Sequence, residues 1–262
     1  MSQLENSTMV QLSFKSKVRT IQLGFFIFFI LIWEALPTLG LVESSLFPSF
    51  ITTIKTGIQL FTKENIVGDL LATLLLISIT FLIVSPLAIV VGFYLGTRAK
   101  LKEFFMPILN TGMGVPKSIF LPIFIIVLGT GPLQKIAFAF PYGFFVIVIV
   151  TMGGVSTVDK EMLLAVRSMG ASERELYRHV YFPAALPTIV TGLRIGLIFT
   201  VLGVIISEMY VSRAGVGKLI TQWGISFRVP ELFAGVAIIS AVTILLNEGM
   251  RTVENKVSRW EL

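Results

Sequence analysis

Lys117, Arg194 and Glu208 are charged residues inside otherwise apolar runs. A charge at membrane depth is costly, so such residues line a transport path or pair with one another. Lys117 sits in a run broken by Pro107, Gly112, Gly114, Pro116 and Pro122. Arg194 and Glu208 share one run; on a helix they are about 40° apart around the axis and ~21 Å apart along it, so they face the same way without pairing. This set of translocation-pathway candidates admits two readings. Lys117 and Arg194 give a passage a positive field that suits an anionic or zwitterionic solute, or Lys117 pairs with Glu208 or a carbonyl of a neighbouring helix and fixes the bundle. Covalent chemistry has no candidate. Cys is absent and His179 is the one histidine, so no catalytic constellation and no metal-ligand set is expected. Gly215-Val-Gly-Lys218 lacks the spacing and the following hydroxyl of a phosphate-cradling loop, so no cofactor is expected on this chain.

The densest polar stretch is 159–183, DKEMLLAVRSMGASERELYRHVYFP, flanked by long apolar runs. Asp159 is placed to cap a short helix whose apolar face is Met162, Leu163, Val166 and Met169. Gly170 suits the left-handed position that stops it. Ser172 to Glu175 reads as a capping box that starts a second short helix, with Tyr177, Val180, Tyr181 and Phe182 as its apolar contacts. Pro183 and Pro187 mark the return to the apolar run. Two short helices joined at one glycine form a compact knob, which serves either as an interfacial brace or as a dock for a soluble partner.

These features need elements to hold them, and composition says which. Of 262 residues 55% are hydrophobic and 14% charged, with mean hydropathy +0.88. Soluble domains run near 25% charged, so the chain is expected to be an all-α integral membrane protein. A span takes ~20 residues, which allows about six. The expected spans are 21–36, 66–95 with a kink at Pro86, an irregular 104–128, 133–152, 184–210 and 232–250. Residues 37–65 form an outer connection with a helix near 51–61, and 211–231 an outer polar loop. Gly92 and Gly96 make a small-xxx-small pair, and Gly192, Gly196 and Gly203 a stripe, both suited to close helix packing.

Basic residues collect on the cytoplasmic side. With both termini inside, the inner segments hold thirteen Lys and Arg (Lys15, Lys17, Arg19; Arg98, Lys100, Lys102; Lys160, Arg167, Arg174, Arg178; Arg251, Lys256, Arg259). The outer segments hold six: Lys55, Lys63, Lys135, Arg213, Lys218 and Arg228. The knob is then cytoplasmic. The expected organisation is a cytoplasmic segment 1–20, a single six-helix transmembrane domain 21–250 carrying the 159–183 loop, and a cytoplasmic tail 251–262. The net charge of +6 comes with no nucleic-acid module.

Leu164-Ala165-Val166, three residues, Gly170, nine residues, then Val180-Tyr-Phe182-Pro183 resembles the cytoplasmic E-A-A-x3-G-x9-I-x-L-P motif of ABC-importer permeases. Spacing matches throughout; Leu164 stands for the motif Glu, Val166 for Ala and Phe182 for Leu. Val115-Pro-Lys117, Leu121-Pro122, Gly129-x-Gly131, Gly192-Leu-Arg-Ile195, Ser207-Glu208-Met209 and Gly215-Val-Gly217 are similar to the branch that imports taurine, alkanesulfonates, nitrate and vitamin precursors. The resemblance covers nearly the whole chain. It implies a type I importer permease acting as a homodimer in the bacterial cytoplasmic membrane. It also implies two cytoplasmic ATPases that hold ATP and Mg and dock on Met162, Leu163, Leu164, Ala165, Val166, Met169, Gly170, Val180 and Pro183. An extracytoplasmic solute-binding protein delivers the solute, and transport is by alternating access.

Overall fold

Pro- and Gly-punctuated apolar runs fold here as helices, because only a helix satisfies every backbone group within one segment in lipid. The computed structural model describes residues 2–63 and 66–257. Of the basic residues counted above, Arg259 lies outside the described residues, as do the side chains of Lys15, Arg19, Lys63 and Lys160. The helices are α1 (Ser2–Thr38), α2 (Phe50–Lys63), α3 (Ile66–Gly96), α4 (Ala99–Gly114), α5 (Leu121–Leu128), α6 (Pro132–Ser156), α7 (Lys160–Ser168), α8 (Glu173–Leu176), α9 (Phe182–Tyr210), α10 (Val216–Ile225) and α11 (Val229–Val257). Five of the helical stretches are long and apolar enough to cross a membrane. Among the described residues, α4 with Lys117–Leu128, bent by 75°, makes a sixth if the pair is counted as one span. The break follows the prolines: Pro116 removes a donor and turns the chain, and a single 3-10 turn, Lys117–Phe120, bridges to α5.

The chain forms two compact units. The first comprises residues 1–64 and 223–235. It is organised by Trp33, whose ring meets Phe50 edge-on at 5.6 Å and lies within 6.2 Å of Phe29, Phe47 and Phe233. The indole N–H donates to the Pro48 carbonyl at 3.0 Å, and Glu34 accepts the Ile51 amide at 3.1 Å, closing the start of α2.

The second unit comprises 65–222 and 236–262, and α6 runs through its centre. Glycines on α3 and α9 bring both helices against it. A methyl at Gly92 would lie 2.7 Å from the Val148 carbonyl oxygen, and one at Gly96 2.8 Å from that of Met152. Gly192 faces Val150, Gly196 faces Ile147, and Gly203 faces the Ala139 backbone. The two expected small-residue faces therefore have one partner, α6. Val84, Ala88, Ile147, Val148, Met152 and Val204 are sealed between these three helices.

Candidate functional site: a capped knob, a broken span and a buried carboxylate

At one end of the second unit the chain leaves α6 and builds the knob. Asp159 Oδ1 accepts the Glu161 amide at 2.8 Å and starts α7. Gly170 adopts φ +86°, the left-handed region expected of it. Ser172 and Glu175 form the capping box, with Glu175 Oε2 accepting the Ser172 amide at 2.8 Å. Arg167 and Glu173 pair at 2.7 Å across the glycine turn.

The second half differs from the expected short helix. α8, a π turn at Tyr177–Tyr181 and α9 run on as one helix, Glu173–Tyr210. Pro183 and Pro187 do not end it. The wide turn, in which the Phe182 amide donates to the Tyr177 carbonyl, gives the slack that a proline ring needs against the preceding turn. Span five thus reaches down into the knob. Leu176 and Val180 are buried, and Tyr177, Tyr181 and Phe182 surround Phe93 of α3 at 6.2–6.5 Å.

α7 itself is sparsely covered. Met162, Leu164 and Met169 are 50%, 63% and 86% exposed. Ala165, Gly170 and Pro183 are also exposed, while Leu163 and Val166 are half-buried. The apolar face expected on this helix is thus split: Leu163 and Val166 turn inward, and the exposed ridge includes Leu164.

Lys117 opens the 3-10 turn of the broken span. Its ammonium donates to the Met113 carbonyl at 3.0 Å and lies 5.4 Å and 5.5 Å from the ring centres of Tyr142 and Phe145. It meets a carbonyl of its own segment, not Glu208. Among the described residues no carboxylate pairs with it. The recess around it, about 240 Å³, is walled by Phe120, Phe124, Phe138 and Phe145.

Arg194 pairs with Glu254 of α11 at 2.6 Å and reaches Asn247 Oδ1 at 3.4 Å. Thr191 donates to the same carboxylate at 2.5 Å. From the sequence, span six is expected to end at 250 and to give way to a basic tail. The helix continues to Val257 instead, which carries Glu254 back against α9.

Glu208 is 1% exposed. Its Oε2 accepts Thr73 Oγ1 at 2.9 Å and the Gly217 amide at 3.1 Å. Thr73 Oγ1 in turn accepts the Val216 amide at 2.9 Å, and Asp69 Oδ1 accepts the Gly215 amide at 2.7 Å. Lys135 donates to Ser212 Oγ and attracts Glu208. This clasp binds the 212–218 turn to α3 and α9 at the end of the unit opposite the knob. Both glycines are required there. Gly215 adopts φ +114°, and a methyl on it would fall on the Glu208 carboxylate; one on Gly217 would lie 2.6 Å from the Ile205 carbonyl. The expected outer loop is therefore structured: it contains α10, with Val216, Ile220 and Trp223 buried. Sequence reasoning flags Glu208 and Gly215-x-Gly217 but misses Asp69 and Thr73. The available signal is Asp69 itself, an acid opening an apolar run.

Among the described residues no three His, Cys, Asp or Glu side chains gather to hold a metal. The arrangement offers a membrane bundle with an exposed apolar ridge at one end and a clasped turn at the other. The taurine transport system permease protein TauC of Escherichia coli is 27% identical over 251 residues, covering 94% of this chain and 91% of TauC. The formylaminopyrimidine transport permease protein ThiX of Halalkalibacterium halodurans is 27% identical over 236 residues, covering 90% and 94%. Among solved structures, the inward-facing MetNI methionine ABC transporter has a chain of similar fold. The TM-score is 0.57 at 20% identity, over 72% of this chain and 96% of that one. The family model described as the binding-protein-dependent transport system inner membrane component matches residues 84–250, from the middle of α3 through the knob and the 212–218 turn into α11. With well over half of the sequence matched, the chain belongs to that family and is a permease subunit of an ABC importer, a transport protein and not an enzyme.

Proposed function

We propose that this permease acts as a homodimer that moves a small polar or anionic solute inward by alternating access. The solute class is that of sulfonates, taurine, nitrate or vitamin precursors. Two cytoplasmic ATPases, which hold ATP and Mg, dock on the knob, and an extracytoplasmic solute-binding protein delivers the solute. The observation that carries this reading is the uncovered ridge of Met162, Leu164 and Met169 on a helix capped at both ends. An exposed apolar ridge on an otherwise polar segment fits a protein partner. The 38-residue helix Glu173–Tyr210 links the second half of the knob to the core, and α7 joins it through the Gly170 turn that the Arg167–Glu173 pair braces, so a displacement of α7 reaches the membrane segment across one short braced turn. The count of thirteen basic residues against six supports a cytoplasmic knob and cytoplasmic termini.

Lys117 supports an anionic or zwitterionic cargo: a half-exposed ammonium in an aromatic recess, with no carboxylate beside it among the described residues. Arg194, neutralised by Glu254, adds less field to the passage than Lys117. Glu208 serves the passage from behind, by holding its end.

ATP-dependent uptake by the reconstituted permease and its ATPase tests the proposal. Leu164→Asp is expected to abolish co-purification of the ATPase while the permease keeps its thermal unfolding midpoint. Lys117→Ala is expected to abolish uptake with the complex intact. An ATPase retained by Leu164→Asp sinks the docking assignment. Unchanged uptake by Lys117→Ala sinks the assignment of Lys117.

A further inference from the structure

A groove of about 390 Å³ runs beside the knob, where the end of α3 meets the start of α9. Its walls are Ile89, Val90 and Phe93 on one side and Tyr177 and Phe182 on the other, with Arg98 at its mouth. Val90 and Phe182 are 66% and 46% exposed. The groove lies along the last turns of a membrane-spanning helix, so its open side is a hydrocarbon side and its mouth an interfacial one.

Arg98 is held ready at that mouth. Its guanidinium stacks 3.8 Å over the Tyr94 ring, and one N–H reaches the Tyr94 carbonyl at 3.4 Å. Among the described residues no carboxylate pairs with it. Arginine carries five donors in a planar fork that matches a phosphate, and stacking on an aromatic ring fixes the fork's plane. Exposed Lys100 follows two residues later.

We infer that this groove is a binding site for an anionic phospholipid, with one acyl chain lying between Val90 and Phe182 and the phosphate on Arg98. A lipid tail is as apolar as the groove walls, so the hydrophobic effect gives it no preference for the groove over bulk bilayer. Selectivity must come from the head group. A basic side chain at the membrane surface favours an anionic lipid about fivefold. One wall of the site is the π turn that joins α8 to α9, at the base of the knob. A lipid bound there stiffens the base of the knob.

The test is native mass spectrometry of the intact permease–ATPase complex after exposure to equimolar dioleoyl-phosphatidylglycerol and dioleoyl-phosphatidylcholine. The parent is expected to retain phosphatidylglycerol preferentially. Arg98→Gln is expected to lose that preference about fivefold, with ATP hydrolysis by the complex unchanged. Val90→Trp, which fills the groove, is expected to remove both lipids from the site. Equal retention of the two lipids by the parent overturns the proposal, as does a preference untouched by Arg98→Gln. The chain has no native Cys, so Val90→Cys adds a single thiol. A disulfide between two permease chains through that thiol shows a second copy covering the groove, and overturns the proposal as well.

Discussion

Replacing Glu208 by Ala should release the 212–218 turn without unfolding the bundle. The carboxylate accepts the Thr73 hydroxyl and the Gly217 amide from a site 1% exposed. Its removal strands the buried Gly217 amide and leaves the Thr73 hydroxyl only the Asp69 carbonyl at 3.1 Å; a stranded buried donor costs about 1–3 kcal/mol. With the cavity left behind, the total is ~3–5 kcal/mol, the range for breaking a buried charged network. Glu208→Gln should be far milder. Oε2 lies within reach of both donors, with Oε1 a longer second acceptor for Thr73 at 3.1 Å, so one amide oxygen can take the place of Oε2. The absence of native Cys makes the assay clean. Val216 is fully buried and its amide bonds Thr73, so Val216→Cys reports opening of the turn to a maleimide. At 1.4 kcal/mol per factor of ten, Glu208→Ala should raise the labelling rate about a hundredfold or more, and Glu208→Gln less than about tenfold. A second reporter at Ala185→Cys, fully buried at the knob end, should stay protected in all three backgrounds. Labelling of Val216→Cys within twofold of the parent after Glu208→Ala would refute the clasp. Equal gains at Val216 and Ala185 would show global loosening and would also refute it.

Gly92→Ala should destabilise the second unit by about 1–3 kcal/mol in chemical unfolding, because its methyl meets the Val148 carbonyl and Thr151. Gly68→Ala on the same helix meets nothing within 4 Å and should be neutral or stabilising. A double-mutant cycle on Arg194→Ala and Glu254→Ala should give a coupling of ~1 kcal/mol, modest because the pair is partly exposed; a value near zero would remove the proposed tie between α9 and α11. Gly170→Ala forces a side chain to φ +86° at a cost of ~1–2 kcal/mol. Trypsin cleavage at Arg167 and Arg174 should then rise about tenfold.

Class, spans and knob are set by rules that act locally along the chain. Hydrocarbon has no partners for a backbone, so apolar runs of sufficient length become helices whatever surrounds them. Asp159, Gly170 and Ser172–Glu175 act within one turn of the chain, and the structure has each of them in its expected role. The glycine faces at 92/96 and 192/196/203 are also legible in the sequence, since a missing side chain signals close approach. Their partner is not. The choice of α6 is made by packing, as is the passage of the helix through Pro183, which depends on a wide turn that local rules do not call for. The charged groups are least legible. Lys117, Arg194 and Glu208 are visible as costs, but a cost does not name what offsets it. Glu254 lies 60 residues from Arg194 along the chain, and Thr73 lies 135 from Glu208. Nothing local encodes a pairing at such separations. It takes the folded bundle to show that one charge is neutralised by α11, that another clasps a turn which hydropathy alone reads as loop, and that Lys117 stands beside aromatic rings with no carboxylate among the described residues.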